Sequence, residues 1–170
     1  MVRLAATLVP GPWGELHQVH VPTPKSPPAG DVEQQLRQLT QVAMEMGVGA
    51  IAHLEVGFDV TAAIGAALSR WNCNTMVIGW SGKVKPEAIR AATNRAVAKA
   101  GDVDTLIFKN RGFAPARRIC VPTGGGSHAM MGIQIAADLR ARWGSELHVV
   151  RIARDPHCRP EDPVLARYCE

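Results

Sequence analysis

The sequence predicts an α/β protein: a parallel sheet with helices on both faces. Three observations carry this expectation. Short apolar segments of strand length alternate with longer segments whose apolar residues recur every three or four positions, the pattern of a parallel sheet wrapped by crossover helices. The chain has 170 residues, enough for one substantial core and too few for two ordinary domains. A stretch near its beginning also returns about 131 residues later, so the order of elements has to be read across a repeat.

The repeat pairs VRLAATLVPGPWGELHQVHV, residues 2–21, with IQIAADLRARWGSELHVVRI, residues 133–152. Leu4, Ala5, Ala6 and Leu8 match Ile135, Ala136, Ala137 and Leu139; Trp13 matches Trp143; and Glu15-Leu16-His17 matches Glu146-Leu147-His148, with one residue added before the second Glu. In each copy apolar residues at helical spacing lead into a β-rich run, so each is the end of a helix followed by a strand.

Between the copies the elements follow in order. Ser26-Pro27-Pro28-Ala29-Gly30 is a loop. In DVEQQLRQLTQVAMEMG, Val32, Leu36, Leu39, Val42, Ala43 and Met46 mark one helical face, with a glycine at the end. GAIAHLEV is a strand, and FDVTAAIGAALSRWN is a helix that Asp59 is placed to cap. NTMVIG is a short buried strand, and KPEAIRAATNRAVAKAG is a helix with Pro86 in its first turn and Gly101 at its end. TLIFK and RRICVP are strands joined by NRGFAPA, and GGGSHAMMGIQIAADLRARWG is the helix of the second copy. A tail rich in Pro and Arg closes the sequence. The two methionine pairs, Met44/Met46 and Met130/Met131, are expected to fill the core.

Composition narrows the function. An apolar fraction of 46% with 20% charged residues is that of a folded globular chain, and no run approaches the ~18 apolar residues of a spanning helix. The N-terminal apolar run is too short for a secretion signal, which leads to the expectation of a cytoplasmic protein. Cys73, Cys120, Cys158 and Cys169 form no CxxC pair, so neither a zinc site nor a disulfide framework is indicated. His157, Cys158 and Cys169 in the tail match no zinc spacing either. The net charge is +4, and the eight aromatic residues are too few for the interleaved basic and aromatic surface of a nucleic-acid binder, so none is expected as a partner. No Ser-His-Asp triad, paired carboxylates or G-x-S-x-G turn is present, and an enzyme is not expected.

Two glycine-rich junctions carry the candidate binding chemistry. Gly79-Trp80-Ser81-Gly82 follows the strand NTMVIG, with Lys83 and Lys85 beside it. Pro122-Thr123-Gly124-Gly125-Gly126-Ser127-His128 lies between RRICV and a helix. Ligands of open parallel sheets bind beyond the carboxyl ends of the strands, where glycine turns and helix N-termini present backbone amides to anions. Neither junction is a P-loop or a G-x-G-x-x-G fingerprint. The glycines of the first, taken alone, are equally those of a sharp turn. His128 has no orienting carboxylate in the sequence, and His17 and His148 occupy one shared structural slot of the repeat.

The strand VIGW, the spacing Gly79-x2-Gly82-x9-Ala92-Thr93 and the following NRAVAKAGDVDTLIFK resemble the C-terminal half of a universal stress protein domain. RRICVPTGGGSHAMMGIQIAADLRARWGSELHVVRI resembles the N-terminal half of the next such domain. The resemblance implies a Rossmann-like five-stranded parallel sheet in the order 3-2-1-4-5, a homodimer, and ATP or another adenine nucleotide at the strand ends. The corresponding nucleotide-binding positions are Gly79, Gly82, Lys83, Ala92, Thr93, Thr123, Gly124, Gly125, Gly126 and Ser127. The chain departs from the family at two of them: Ala92 stands where the motif has its third glycine, and Thr123 where the first strand usually ends in Asp. The G-W-x-G turn and VPTGGGSHA are similar to tandem universal stress domains at the cytoplasmic end of amino-acid permease-type transporters, which implies a membrane transporter as partner.

On this reading residues 1–110 form a first unit lacking its first strand and most of its first helix. Residues 111–170 begin a second unit, whose leading strand completes a sheet in the same chain or in a partner. The expected function is a nucleotide-binding regulatory domain without turnover and without a metal. The alternative is a ligand-free dimeric interaction domain, and an ATPase comes third.

Overall fold

A computed structural model describes residues 1–151 except 10, 12, 58, 99, 113 and 125. The readings made on Gly125 and on the tail residues His157, Cys158 and Cys169 lie outside the described residues. The chain divides into two compact units, residues 1–112 and 113–170.

The first unit runs α1 (Val2–Leu8), β1 (Glu15–His20), α2 (Ala29–Glu45), β2 (Gly49–Leu54), α3 (Val60–Arg70), β3 (Thr75–Gly79), α4 (Pro86–Val97) and β4 (Asp104–Phe108). The second runs β5 (Arg118–Pro122), α5 (Ser127–Trp143) and β6 (Glu146–Val150). The alternation read from the sequence is therefore the alternation of the molecule.

The helix ends follow local chemistry. Asp59 caps α3, its carboxylate accepting from the backbone N–H of Thr61 at 2.8 Å and of Ala62 at 3.3 Å. The end of α2 turns at Gly47, φ +76°, where the Val48 N–H reaches the Ala43 carbonyl at 3.1 Å and the Gly47 N–H reaches Met44 at 2.9 Å. That pair of bonds is the Schellman closure, which satisfies carbonyls the helix would otherwise leave open. Asn72, φ 48°, plays the same part after α3, with the Cys73 N–H on the Leu68 carbonyl at 3.0 Å. Pro86 opens α4 at a position whose N–H needs no partner.

The sheet departs from the expected continuous order. The strands form three two-stranded parallel pairs, β1 with β2, β3 with β4 and β5 with β6. Each strand therefore has a single strand neighbour, and among the described residues no strand joins the β1–β2 ladder to the β3–β4 ladder.

Alternating side chains place cover on both faces of the β1–β2 pair. One face packs on α1 and α2, through a cluster of Val2, Ala6, Val9, Ala43 and Val48 that Leu16, Val42 and Ala50 join. On the other face Trp71, which ends α3, stacks on His53 at 3.7 Å and on His17 at 5.3 Å between ring centroids. Helix α3 packs in turn on α4, so closely that a Cβ on Gly65 would lie 2.5 Å from the Ala96 carbonyl oxygen.

The core is shallow. Among the described residues no large side chain is fully buried, while Val19, Ile51, Leu54 and Ile107, all on strands, are exposed. The methionine expectation is corrected: Met44, Met46 and Met130 are exposed at 59%, 36% and 53%. In α2 the buried face is held by Val32 and Ala43, and Met44, one residue on, is rotated about 100° away from it.

Candidate functional site

The first glycine turn leaves β3 at Gly79 and enters α4 at Pro86. Gly82 has φ +81°, a conformation that glycine adopts without strain. The turn holds itself with two local bonds: the Trp80 indole N–H donates to the Val84 carbonyl at 2.9 Å, and the Lys83 N–H donates to the Ser81 hydroxyl at 3.3 Å.

A residue that sequence reasoning missed stands over this turn. Lys109, just after β4, sets its Nζ 4.7 Å from the Trp80 ring centroid, and its Cε and Nζ would lie 2.9 Å from a Cβ on Gly82. Strand pairing explains the placement, since Gly79 is in register with Phe108 and the Trp80 N–H donates to the Phe108 carbonyl at 2.8 Å. In the sequence Lys109 is one more charge at the end of a strand. Only the β3–β4 register brings it 27 positions back to Gly82.

Lys83 and Lys85 are exposed in the same turn that Lys109 covers, and Glu87 lies in the first turn of α4. Such a turn favours a small anion.

Ala92 and Thr93 are not brought to it. They lie in the interior of α4, six and seven residues beyond Pro86, about 9 and 10.5 Å along the axis at 1.5 Å per residue. Thr93 is buried, and its hydroxyl donates to the Ile89 carbonyl at 2.8 Å. The motif spacing is present, but the helix begins earlier than a phosphate contact at these positions requires, because Pro86 starts it and nothing interrupts it before Val97.

The second junction belongs to the other unit. Thr123 follows β5, is buried, and donates its backbone N–H to the Val150 carbonyl at 2.8 Å. Gly124 is exposed, and Gly126 at φ +91° precedes Ser127, the first residue of α5. His128 in that first turn is exposed.

Two open recesses are lined by Pro115, Arg117, Arg118, Trp143 and Glu146, and by Asn74, Thr75, Asp102 and Asp104. Both lie at the amino ends of strands, opposite the glycine turns, so neither marks a site of the kind an open parallel sheet builds.

The shared histidine slot is a contact made twice. His17 Nε2 lies 3.5 Å from Glu15, and His148 Nε2 lies 3.6 Å from Glu146. His17 goes further, with its Nδ1 3.0 Å from His53 Nε2 beneath Trp71. Burial and the neighbouring His17 hold the His53 pKa below the ordinary histidine value; Glu55 acts against this and Arg70 adds to it. Among the described residues no group of three potential ligands gathers as a metal would require. Nor is any helix among them long and apolar enough to cross a membrane. No protein-family model matches the chain, and no curated protein matches it.

Proposed function

We propose that the protein is an adenine-nucleotide-binding regulatory domain of the universal stress type, without turnover, whose sheet when complete has the order 3-2-1-4-5. The observation that carries the reading is the Trp80–Lys85 turn, where Gly82 at φ +81° meets the Lys109 ammonium from the adjacent strand. Phosphate oxygens accept from backbone N–H groups and from ammonium donors, and a glycine without a side chain leaves room for both. Gly79, Gly82, Lys83 and Lys109 hold the phosphate end in this reading, while Ala92 and Thr93 have no part in it. Thr123, Gly124, Gly126 and Ser127 offer a second turn of the same type on the second unit. The resemblance alone supports a cytoplasmic homodimer that acts on a membrane transporter.

Calorimetric titration with ATP, ADP and AMP tests the reading. Binding is expected for the wild type, weakened about fivefold in Lys109→Ala, the loss of about 1 kcal/mol that an exposed charge contact supplies. Gly82→Asp is expected to abolish binding through crowding and like charge. Absence of binding at millimolar nucleotide would reject it and favour a ligand-free interaction domain, a reading that the unpaired strand edges of the first unit support independently.

A further inference from the structure

We infer that strand β5 of a second copy of this chain inserts between β1 and β3, converting the two strand pairs of the first unit into one five-stranded parallel sheet. The inference is independent of the nucleotide reading.

The first observation is the position of the free edges. Helix α1 packs over the β1–β2 pair through a cluster that both Leu16 of β1 and Ala50 of β2 join. Its preceding residue, Met1, reaches the end of β3, where its sulfur would lie 3.3 Å from a Cβ on Gly79. The end of β3 therefore lies beside the start of α1. Right-handed crossovers put β3 on the β1 side of the β1–β2 pair: α1 and α2 cover one face of that pair, Trp71 at the end of α3 covers the other, and α3 packs beside α4. A sheet wound in both directions from its middle has this arrangement of helices, and the middle strand is the one missing.

The second observation identifies the occupant. In the second unit β6 repeats β1 residue for residue through Glu-Leu-His, and β6 pairs in parallel with β5, Arg118 opposite Glu146 and Cys120 opposite His148. The edge that β6 offers to β5 is thus the edge that β1 leaves open. Carried over by the repeat, an inserted β5 sets Arg118 opposite Glu15 and Cys120 opposite His17. The charges match: Arg118 Nε now lies 2.9 Å from the Glu146 carboxylate, and the exposed Glu15 carboxylate offers the same partner. Since β6 and β1 bind the same edge, β5 exchanges one neighbour for two, gaining β3. Isolated parallel pairs are the arrangement that proteins avoid, and exchange of an identical element between copies replaces those of the first unit with one sheet, at the cost of leaving β6 without β5.

The test uses the full chain with Cys73, Cys158 and Cys169 replaced by serine. One version keeps Cys120; the other carries Cys120→Ser and His17→Cys. The two are unfolded together, refolded and oxidised. The inference expects a disulfide-linked heterodimer of twice 18.3 kDa, above the level that either version forms alone. It also expects a dimer by light scattering. Val121→Cys with Gln18→Cys, one position along the same register, repeats the test should His17→Cys not fold. An intramolecular bridge in a monomer, when both cysteines share one chain, would overturn the inference in favour of the chain's own β5. A monomer with no bridge of either kind would overturn it outright.

Discussion

At the scale of the residue, the first unit carries polar groups in places that cost stability. Gln18 and His20 on β1 each have a buried atom, Oε1 and Nε2, without a hydrogen-bond partner, and each such atom costs about 1–3 kcal/mol. His53 adds a dependence on pH. Its pKa in the folded chain lies below the ordinary value of about 6.5, chiefly through burial and the adjacent His17. The unfolded chain therefore binds the proton more tightly, so this stability is intact above about pH 6.5 and is lost as the pH falls toward the lower folded value. Burial first, and then its charged and titratable neighbours His17, Glu55 and Arg70, set its size. Melting temperatures from pH 7.5 to 5 are expected to fall more steeply for the wild type than for His53→Leu. Parallel curves would show that His53 contributes nothing.

At the scale of the element, caps and stops were legible because they depend on neighbours a few residues away. Asp59, Gly47 and Pro86 each act within one turn of their own helix. The close passage of α3 and α4 was not legible, since Gly65 in VTAAIGAALSR looks like any helix glycine until Ala96 is opposite it. Two effects compete in Gly65→Ala. Alanine is the better helix former by about 1 kcal/mol, but its Cβ would press on a backbone oxygen that cannot rotate away, and such overpacking costs about 1–3 kcal/mol. A net loss of about 1 kcal/mol is expected in urea denaturation. Equal or higher stability would show that the helices separate freely.

At the scale of the whole molecule, the repeat has two consequences. It gives the two units the same strand edge, and it leaves the first unit with two ladders where a parallel sheet needs one continuous layer. If copies complete one another, folding and association are linked, and the melting temperature rises with protein concentration. Differential scanning calorimetry over a hundredfold range of concentration is expected to show that rise. A melting temperature independent of concentration would count against exchange.

The sequence by itself determined the order and type of the elements, the caps and the repeat, because periodicity, turn residues and self-similarity are properties of neighbouring positions. It also marked Gly79 and Gly82 as a turn at the end of a strand. Only the tertiary structure decided that Lys109 stands over Gly82, that Ala92 and Thr93 are carried away inside α4, and that the strands pair in twos. These depend on register, on where a helix starts and on what lies beside an edge. Contacts between residues far apart in the chain set all three, and no local pattern encodes them.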